Sequence, residues 1–126
     1  MEKNLMYKAA NMVIPIVFVL VTFQWTPNSE PDMSHYELYE LRNDEEILIQ
    51  GNIMHPTSTI QVDLSVDNLR NGQYFLKAVD TEGYRSDRSD IATCDQACID
   101  KYLNEGITDI QIKSYSQSQQ STFRPL

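Results

Sequence analysis

Few residues of the 126-residue chain are of a type and spacing that could bind a metal or catalyse a reaction. The two histidines, His35 and His55, lie at the start of a strand-like stretch and before Pro56 in a turn, so both are expected at the surface. No serine-nucleophile, zinc-protease or phosphate-loop pattern occurs. The sequence therefore predicts no catalytic, cofactor-binding or metal-binding residues, and we expect the protein not to be an enzyme.

The two cysteines, Cys94 and Cys98, have no further Cys or His nearby in sequence to complete a zinc site. An i, i+4 pair on a helix is near the geometric limit for a disulfide. We therefore expect both to be small buried side chains. The acidic stretch 43–46 lacks the spacing of an EF-hand loop and is expected to be a solvated turn.

The composition is that of one acidic globular domain. Apolar residues make up 41% of the chain, enough for a single core, and the formal net charge is −8. Binding to phosphate groups needs a concentrated basic surface, whereas the Lys and Arg residues here are scattered. Nucleic acids and anionic membrane surfaces are therefore not expected as partners.

Short stretches of alternating apolar and polar residues, separated by turn signals, predict an antiparallel β-sandwich. The clearest alternation places Ile60, Val62, Leu64 and Val66 on one face. Asn71-Gly72 marks a turn before the next stretch, residues 73–80, and Gly83 marks a turn after it. The predicted strands are residues 21–27, 35–41, 46–50, 60–66 and 73–80, with a further possible strand at 88–93.

Several of these stretches resemble parts of a fibronectin type III domain, in the order found in that family. Trp25–Asp32 followed by Tyr36–Tyr39 resembles its B and C strands, and Leu69–Tyr74 resembles its E–F corner. Lys77–Asp80, followed by Gly83, resembles strand F and the F–G loop. The resemblance implies an all-β, fibronectin-III or immunoglobulin-like antiparallel sandwich over residues 19–93.

The resemblance also implies a core. Trp25 would lie between the sheets, and Tyr74 would be the corner tyrosine, with its hydroxyl bonded to nearby backbone. The expected core residues are Trp25, Tyr36, Leu64, Leu69 and Tyr74. Adhesive members of the family carry Arg-Gly-Asp in the F–G loop, but Ser86 follows Arg85 here, so integrin binding is not implied.

The spacing from Gly72 to Gly83, Gly-x-Tyr-x-x-Lys-Ala-x-Asp-x-x-Gly, is shorter than in animal cell-surface members. It is similar to fibronectin type III modules of bacteriophage tail and baseplate proteins. The resemblance therefore implies a virion protein that binds other proteins.

Residues 1–18 form an apolar N-terminal segment with two interpretations. Residues 12–23 carry no charge and follow Lys3 and Lys8, as in a signal peptide, but no small-residue cleavage site follows. Alternatively, the segment leads into a strand that is apolar on both faces, which must be covered on both faces. One small sandwich cannot supply the second cover, so the second interpretation predicts contact with another chain.

Residues 94–126 are predicted to be a C-terminal extension. Thr93 and Gln96 can form a capping box, and residues 95–105 then form a short helix that ends at Gly106. Residues 108–115 predict a strand with Ile110 and Ile112 on one side. The polar residues 116–126 cannot build a core.

We therefore expect a structural or decorating protein of a bacteriophage virion, in contact with other virion proteins or with copies of itself. The alternative is an exported bacterial binding or adhesion module, periplasmic or secreted, with residues 1–23 as its signal or membrane anchor. Both flanks hold apolar residues that the sandwich cannot easily bury. The expected contact residues are Val17, Phe18, Leu20, Ile99 and Leu103.

Overall fold

The structure is a computed structural model in which residues 17–113 are described. Within that range the chain forms, in order, β1 (Phe18–Gln24), β2 (Met33–Arg42), β3 (Glu45–Met54), β4 (Thr59–Ser65), α1 (Val66–Asn71), β5 (Gln73–Asp80), α2 (Gln96–Glu105) and β6 (Ile107–Gln111). The strands form two three-stranded sheets, in the orders β4-β1-β6 and β3-β2-β5. The predicted all-β sandwich with a short C-terminal helix and strand is confirmed.

The first sheet has β1 at its centre. β1 pairs antiparallel with β4, with Leu20 opposite Asp63, and parallel with β6, with Leu20 opposite Ile107. The β1–β6 pair departs from the expected antiparallel sheet. β1 and β6 are separated by most of the described chain instead of by a tight turn, and such a long connection can join parallel strands.

The second sheet is antiparallel throughout. Asn43 and Asp44 connect β2 to β3 with φ of 51° and 65°, the conformation that a tight two-residue hairpin requires. The expectation that β3 ends before Gly51 is wrong, because β3 continues to Met54. A β-bulge accommodates the extra residue there, with Asn52 at a φ of 50°.

The core lies between the sheets. The five side chains predicted for it, Trp25, Tyr36, Leu64, Leu69 and Tyr74, are all buried. Two edge-to-face ring contacts join the sheets, Trp25 with Tyr36 at 5.7 Å and Phe23 with Tyr74 at 5.2 Å between centroids. Such pairs stabilise a core beyond the area they bury.

The turn between the sheets is the short helix α1, which the alternating pattern did not predict. Val66 begins this helix instead of ending β4, because the Ser65 hydroxyl accepts a hydrogen bond from Asn68 N at 3.2 Å and caps the first turn. Leu69 is buried under the helix. The Tyr74 hydroxyl donates to the Asn68 carbonyl at 3.0 Å, so the hydrogen bond expected of a corner tyrosine is present.

An irregular segment, residues 84–92, covers the free edge of β5 in place of the strand expected at 88–93. Ala92 exchanges two backbone hydrogen bonds with Tyr74, each 2.8 Å long. Nearer the turn that follows β5, the Ser86 hydroxyl accepts a hydrogen bond from Ala78 N at 2.9 Å, and the Ser89 hydroxyl accepts one from Leu76 N at 2.8 Å. Side-chain oxygens thus replace part of a strand's hydrogen bonds.

The helix expected at 95–105 is present as α2, but its N-cap is Asp95, whose carboxylate accepts from Cys98 N at 2.9 Å. The expectation of two unlinked cysteines is wrong, since Cys94 and Cys98 form a disulfide. Cys94 precedes the helix, which brings the two Cα atoms to 5.2 Å, well within disulfide range.

The C-terminal segment up to residue 113 packs into the same core as the sandwich. Cys98, Ile110 and Ile112 are buried there, and the Thr108 hydroxyl donates to the Cys98 carbonyl at 2.7 Å. The boundary placed after residue 93 therefore does not separate two cores. The predictions for residues 1–16 and 114–126 lie outside the described residues.

The packing of Tyr74 against the end of α1 can be tested at Gly72, which lies between α1 and β5. A Cβ atom at Gly72 would overlap the Tyr74 hydroxyl and the Asn68 carbonyl oxygen, whereas one at Gly51 meets only ordinary contacts. We expect Gly72→Ala to lower the free energy of unfolding by about 2 to 3 kcal/mol, as overpacking does. Urea denaturation of the two variants measures the difference, and equal losses in Gly72→Ala and Gly51→Ala would contradict the packing described.

Candidate functional site

The strand β1 carries apolar side chains on both of its faces. Val19, Val21 and Phe23 point into the core and are fully buried. On the opposite face, Phe18 is 61% exposed and Leu20 is 36% exposed. The cover expected for this second face is not supplied by residues 17–113.

Neighbouring strands extend this exposed face. The β1–β6 register puts Ile107, which is 45% exposed, beside Leu20 on the same side of the sheet. Val17, also exposed, precedes Phe18 and accepts a backbone hydrogen bond from Val66 at 3.0 Å. We call Phe18, Leu20 and Ile107, together with the exposed Val17 where the chain enters β1, the apolar surface.

The rest of the outer face of this sheet is polar. Asp63 on β4 faces Leu20 across the strand pair. Two residues further along β1, Thr22 accepts a hydrogen bond on its hydroxyl from Gln61 at 3.4 Å, and Asp109 on β6 lies beside it. The apolar surface is therefore confined to the end of the sheet where the chain enters β1.

Three of the five predicted contact residues, Val17, Phe18 and Leu20, lie together on the apolar surface. The other two are on α2, where Leu103 is exposed and Ile99 is partly buried. Sequence reasoning missed Ile107, because the strand was expected to begin one residue later. The pairing of β6 with β1 is a long-range contact that no local pattern encodes.

A second group of side chains covers the outer face of the other sheet. Glu37, buried on β2, receives two hydrogen bonds from Arg85, from Nε to Oε1 at 2.8 Å and from Nη2 to Oε2 at 3.0 Å. The Tyr39 hydroxyl donates to the same Oε1 at 2.6 Å. The Arg85 hydrogen bonds hold the pKa of Glu37 below its ordinary value, and burial raises the pKa of Tyr39 to about 12.

Glu46 is paired in the same way. It accepts from Lys77 Nζ at 2.8 Å and from Arg88 Nε at 2.7 Å, and these hydrogen bonds, that of Lys77 foremost, lower its pKa. Arg88 lies over the Phe75 ring, with its Cζ 4.9 Å from the centroid. The two arginines of the 84–92 segment, Arg85 and Arg88, thus bind carboxylates of their own sheet and hold that segment in place.

The histidines occupy structural positions. His55 Nδ1 lies 2.8 Å from the buried Tyr36 hydroxyl, which also accepts from Asn28 N at 2.9 Å. His35 lies 3.0 Å from the Ser34 hydroxyl. Among residues 17–113, no three His, Cys, Asp or Glu side chains come close enough together to hold a metal ion.

Open clefts occur on the surface of the described residues, and two of them lie beside the helices. One, of about 410 Å³, runs between α1 and the end of β2 and contains the Glu40–Arg42 ion pair at 2.6 Å. The other, of about 440 Å³, lies beside α2 and contains the Lys101–Asp109 pair at 2.8 Å. In both, the opposite charges already bind each other.

Comparison of the chain with protein-family models, with curated proteins and with solved structures finds no match. Over residues 17–113, neither helix has the length and apolar character needed to cross a bilayer. The apolar surface is thus the candidate interaction site among the described residues, because exposed apolar side chains grouped in one patch mark such sites.

The Glu37–Arg85 pair predicts an acid dependence of stability. Since the pKa of Glu37 is lower in the folded chain than its ordinary 4.5, the pair stabilises the fold above about pH 4.5, and that contribution is lost as the pH falls through the folded-state pKa. We expect Glu37→Gln to destabilise the protein by about 1 kcal/mol at pH 7, since Arg85 is partly exposed, and the deficit to shrink below pH 4.5.

Urea midpoints measured from pH 7 to pH 3 test this expectation. Glu82→Gln is the matched control, because Glu82 is exposed in the turn after β5. A deficit for Glu37→Gln that stays constant over this pH range would contradict the assignment of the low pKa to Glu37.

Proposed function

We propose that this protein is a non-catalytic structural component of a bacteriophage virion that acts through protein–protein contacts of a fibronectin-III-like sandwich. The observation that carries the proposal is the apolar surface. Phe18, Leu20 and Ile107 are exposed together at one end of an otherwise polar sheet face. Apolar side chains grouped in this way mark interaction sites, whereas ones scattered singly do not.

Two contacts support the family resemblance on which the virion assignment depends. The Tyr74 hydroxyl is bonded to the backbone of the turn before β5, and Trp25 packs between the sheets. The short stretch from Gly72 to Gly83 consists of β5 followed by a turn in which Gly83 has a φ of 90°. These features are those the resemblance implies, and phage tail and baseplate modules carry the same short form.

The physical mechanism is burial of apolar area at each subunit contact. Each square ångström of apolar surface removed from water contributes about 25 cal/mol, and an assembly repeats the contact many times. The net charge of −8 opposes close approach of copies through the remaining surface. Association is therefore directed to the apolar surface.

The partners that fit are other virion proteins or copies of this chain. A nucleic acid does not fit, because the arginines and lysines of the second sheet, Arg85, Arg88 and Lys77, already bind carboxylates. The proposed location is the virion.

The second candidate is an exported bacterial binding module, located in the periplasm or outside the cell. The Cys94–Cys98 disulfide favours it, because disulfides persist in oxidising compartments. The position of β1 weighs against a signal peptide that extends to residue 23. Its removal would take away the central strand of a sheet together with the fully buried Val19, Val21 and Phe23.

Substitution on the apolar surface tests the proposal. We expect Leu20→Asp to weaken association with the partner, or with other copies, about tenfold or more, because it places a charge in the contact. Leu48→Asp is the matched control, since Leu48 is 52% exposed on the other sheet. Sedimentation velocity over a concentration series measures the association, and equal behaviour of the two variants would contradict the proposed surface.

A further inference from the structure

We propose that the apolar surface is the binding site for residues 12–16 of a second copy of this chain. The inference rests on the proposed function, because it names the partner of the surface through which the protein is proposed to assemble. It adds that copies associate by exchange of their N-terminal segments.

The chemistry of the segment matches that of the surface. Residues 12–16, Met-Val-Ile-Pro-Ile, carry no charge and are apolar throughout. They follow Lys3 and Lys8, the two lysines of a segment with one acidic residue, in a chain whose net charge is −8. The surface they would meet is apolar at its centre and bordered by Asp63 on β4. Apolar side chains thus meet apolar ones, and lysines lie near a carboxylate.

The size of the apolar surface argues against simple face-to-face contact of two folded domains. A stable interface buries about 800 Å² on each partner. Four partly exposed side chains offer only a few hundred Å², since even a whole aromatic side chain contributes about 150 to 250 Å². Five further apolar residues from each copy supply much of the missing area.

Backbone pairing with β1 is not open to the segment. Both edges of β1 are occupied, one by β4 and the other by β6. At β1 the segment can therefore bind only through its side chains, on the outer face where Phe18, Leu20 and Ile107 lie.

A segment from a second copy covers the surface better than the segment of the same copy. The hydrogen bond from Val66 N to Val17 O, 3.0 Å long, fixes Val17 at the end of the β1–β4 ladder. To return over its own Leu20, the chain would need a reversal of four residues, 14–17. Only Met12 and Val13 would then reach the surface, whereas all five residues of a second copy can lie on it.

A mixing experiment with full-length variants tests the inference. The segment variant carries Ile14→Asp and Ile16→Asp, and the surface variant carries Leu20→Asp. Met6→Asp is the matched control, an equivalent substitution in the N-terminal segment outside residues 12–16. Circular dichroism and urea midpoints verify folding, and Phe18→Asp, at a more exposed position, replaces Leu20→Asp if the latter fails to fold.

The expected result is that each variant alone self-associates about tenfold more weakly than the unmodified chain, because each lacks one half of both contacts. An equimolar mixture regains association, since an intact segment from one variant meets an intact surface on the other. Met6→Asp behaves like the unmodified chain. Sedimentation velocity measures all five samples: the unmodified chain, the two variants, their mixture and Met6→Asp.

Four results would overturn the inference. A mixture that stays monomeric would show that the segment does not act between copies, as would an unmodified chain that is monomeric at tens of micromolar. A segment variant that associates normally, while the surface variant does not, would retain the surface as an assembly contact but exclude residues 12–16 as its occupant. If the surface variant also associates normally, the proposed function fails together with the inference.

Discussion

The fold depends on how β1 is held between β4 and β6. Since β1 is apolar on both faces, burial alone does not decide which face turns inward, and a shift of one residue would exchange Phe18 and Leu20 for Val19 and Val21. The neighbouring strand decides, because the alternation in β4 leaves Asp63 no place in the core. Once that register is set, Phe23 meets Tyr74 and the two sheets are joined.

The same constraint produces the apolar surface. When Val19, Val21 and Phe23 are inside, Phe18 and Leu20 must be outside, and β6 adds Ile107 beside them. The other sheet has its outer face closed by Arg85 and Arg88, whose ion pairs hold the 84–92 segment against it. The centre of one outer face is thus covered within the chain, although Leu48 on β3 is exposed, while one end of the other exposes the apolar surface.

Local patterns predicted the elements whose side chains alternate regularly. The limits of β5, residues 73–80, followed from turn residues, and the end of α2 followed from Gly106, although Asp95 caps the start of α2 instead of the predicted Thr93. The patterns could not show that Ser65 would cap a helix, or that Ser86 and Ser89 would replace strand hydrogen bonds, since both depend on backbone groups elsewhere. For the site, the sequence showed that β1 is apolar on both faces. It could not place Ile107 beside Leu20 or pair Glu37 with Arg85, because both are long-range contacts.

The most direct test of the proposed assembly function is the intact mass and sedimentation of the protein taken from its natural source. The expected result is a chain that retains its N-terminal residues and sediments with a large particle. A monomer in the periplasm or medium, shorter by roughly the 15 to 30 residues of a signal peptide, would contradict assembly through β1 and its N-terminal segment. It would leave an exported binding module as the function.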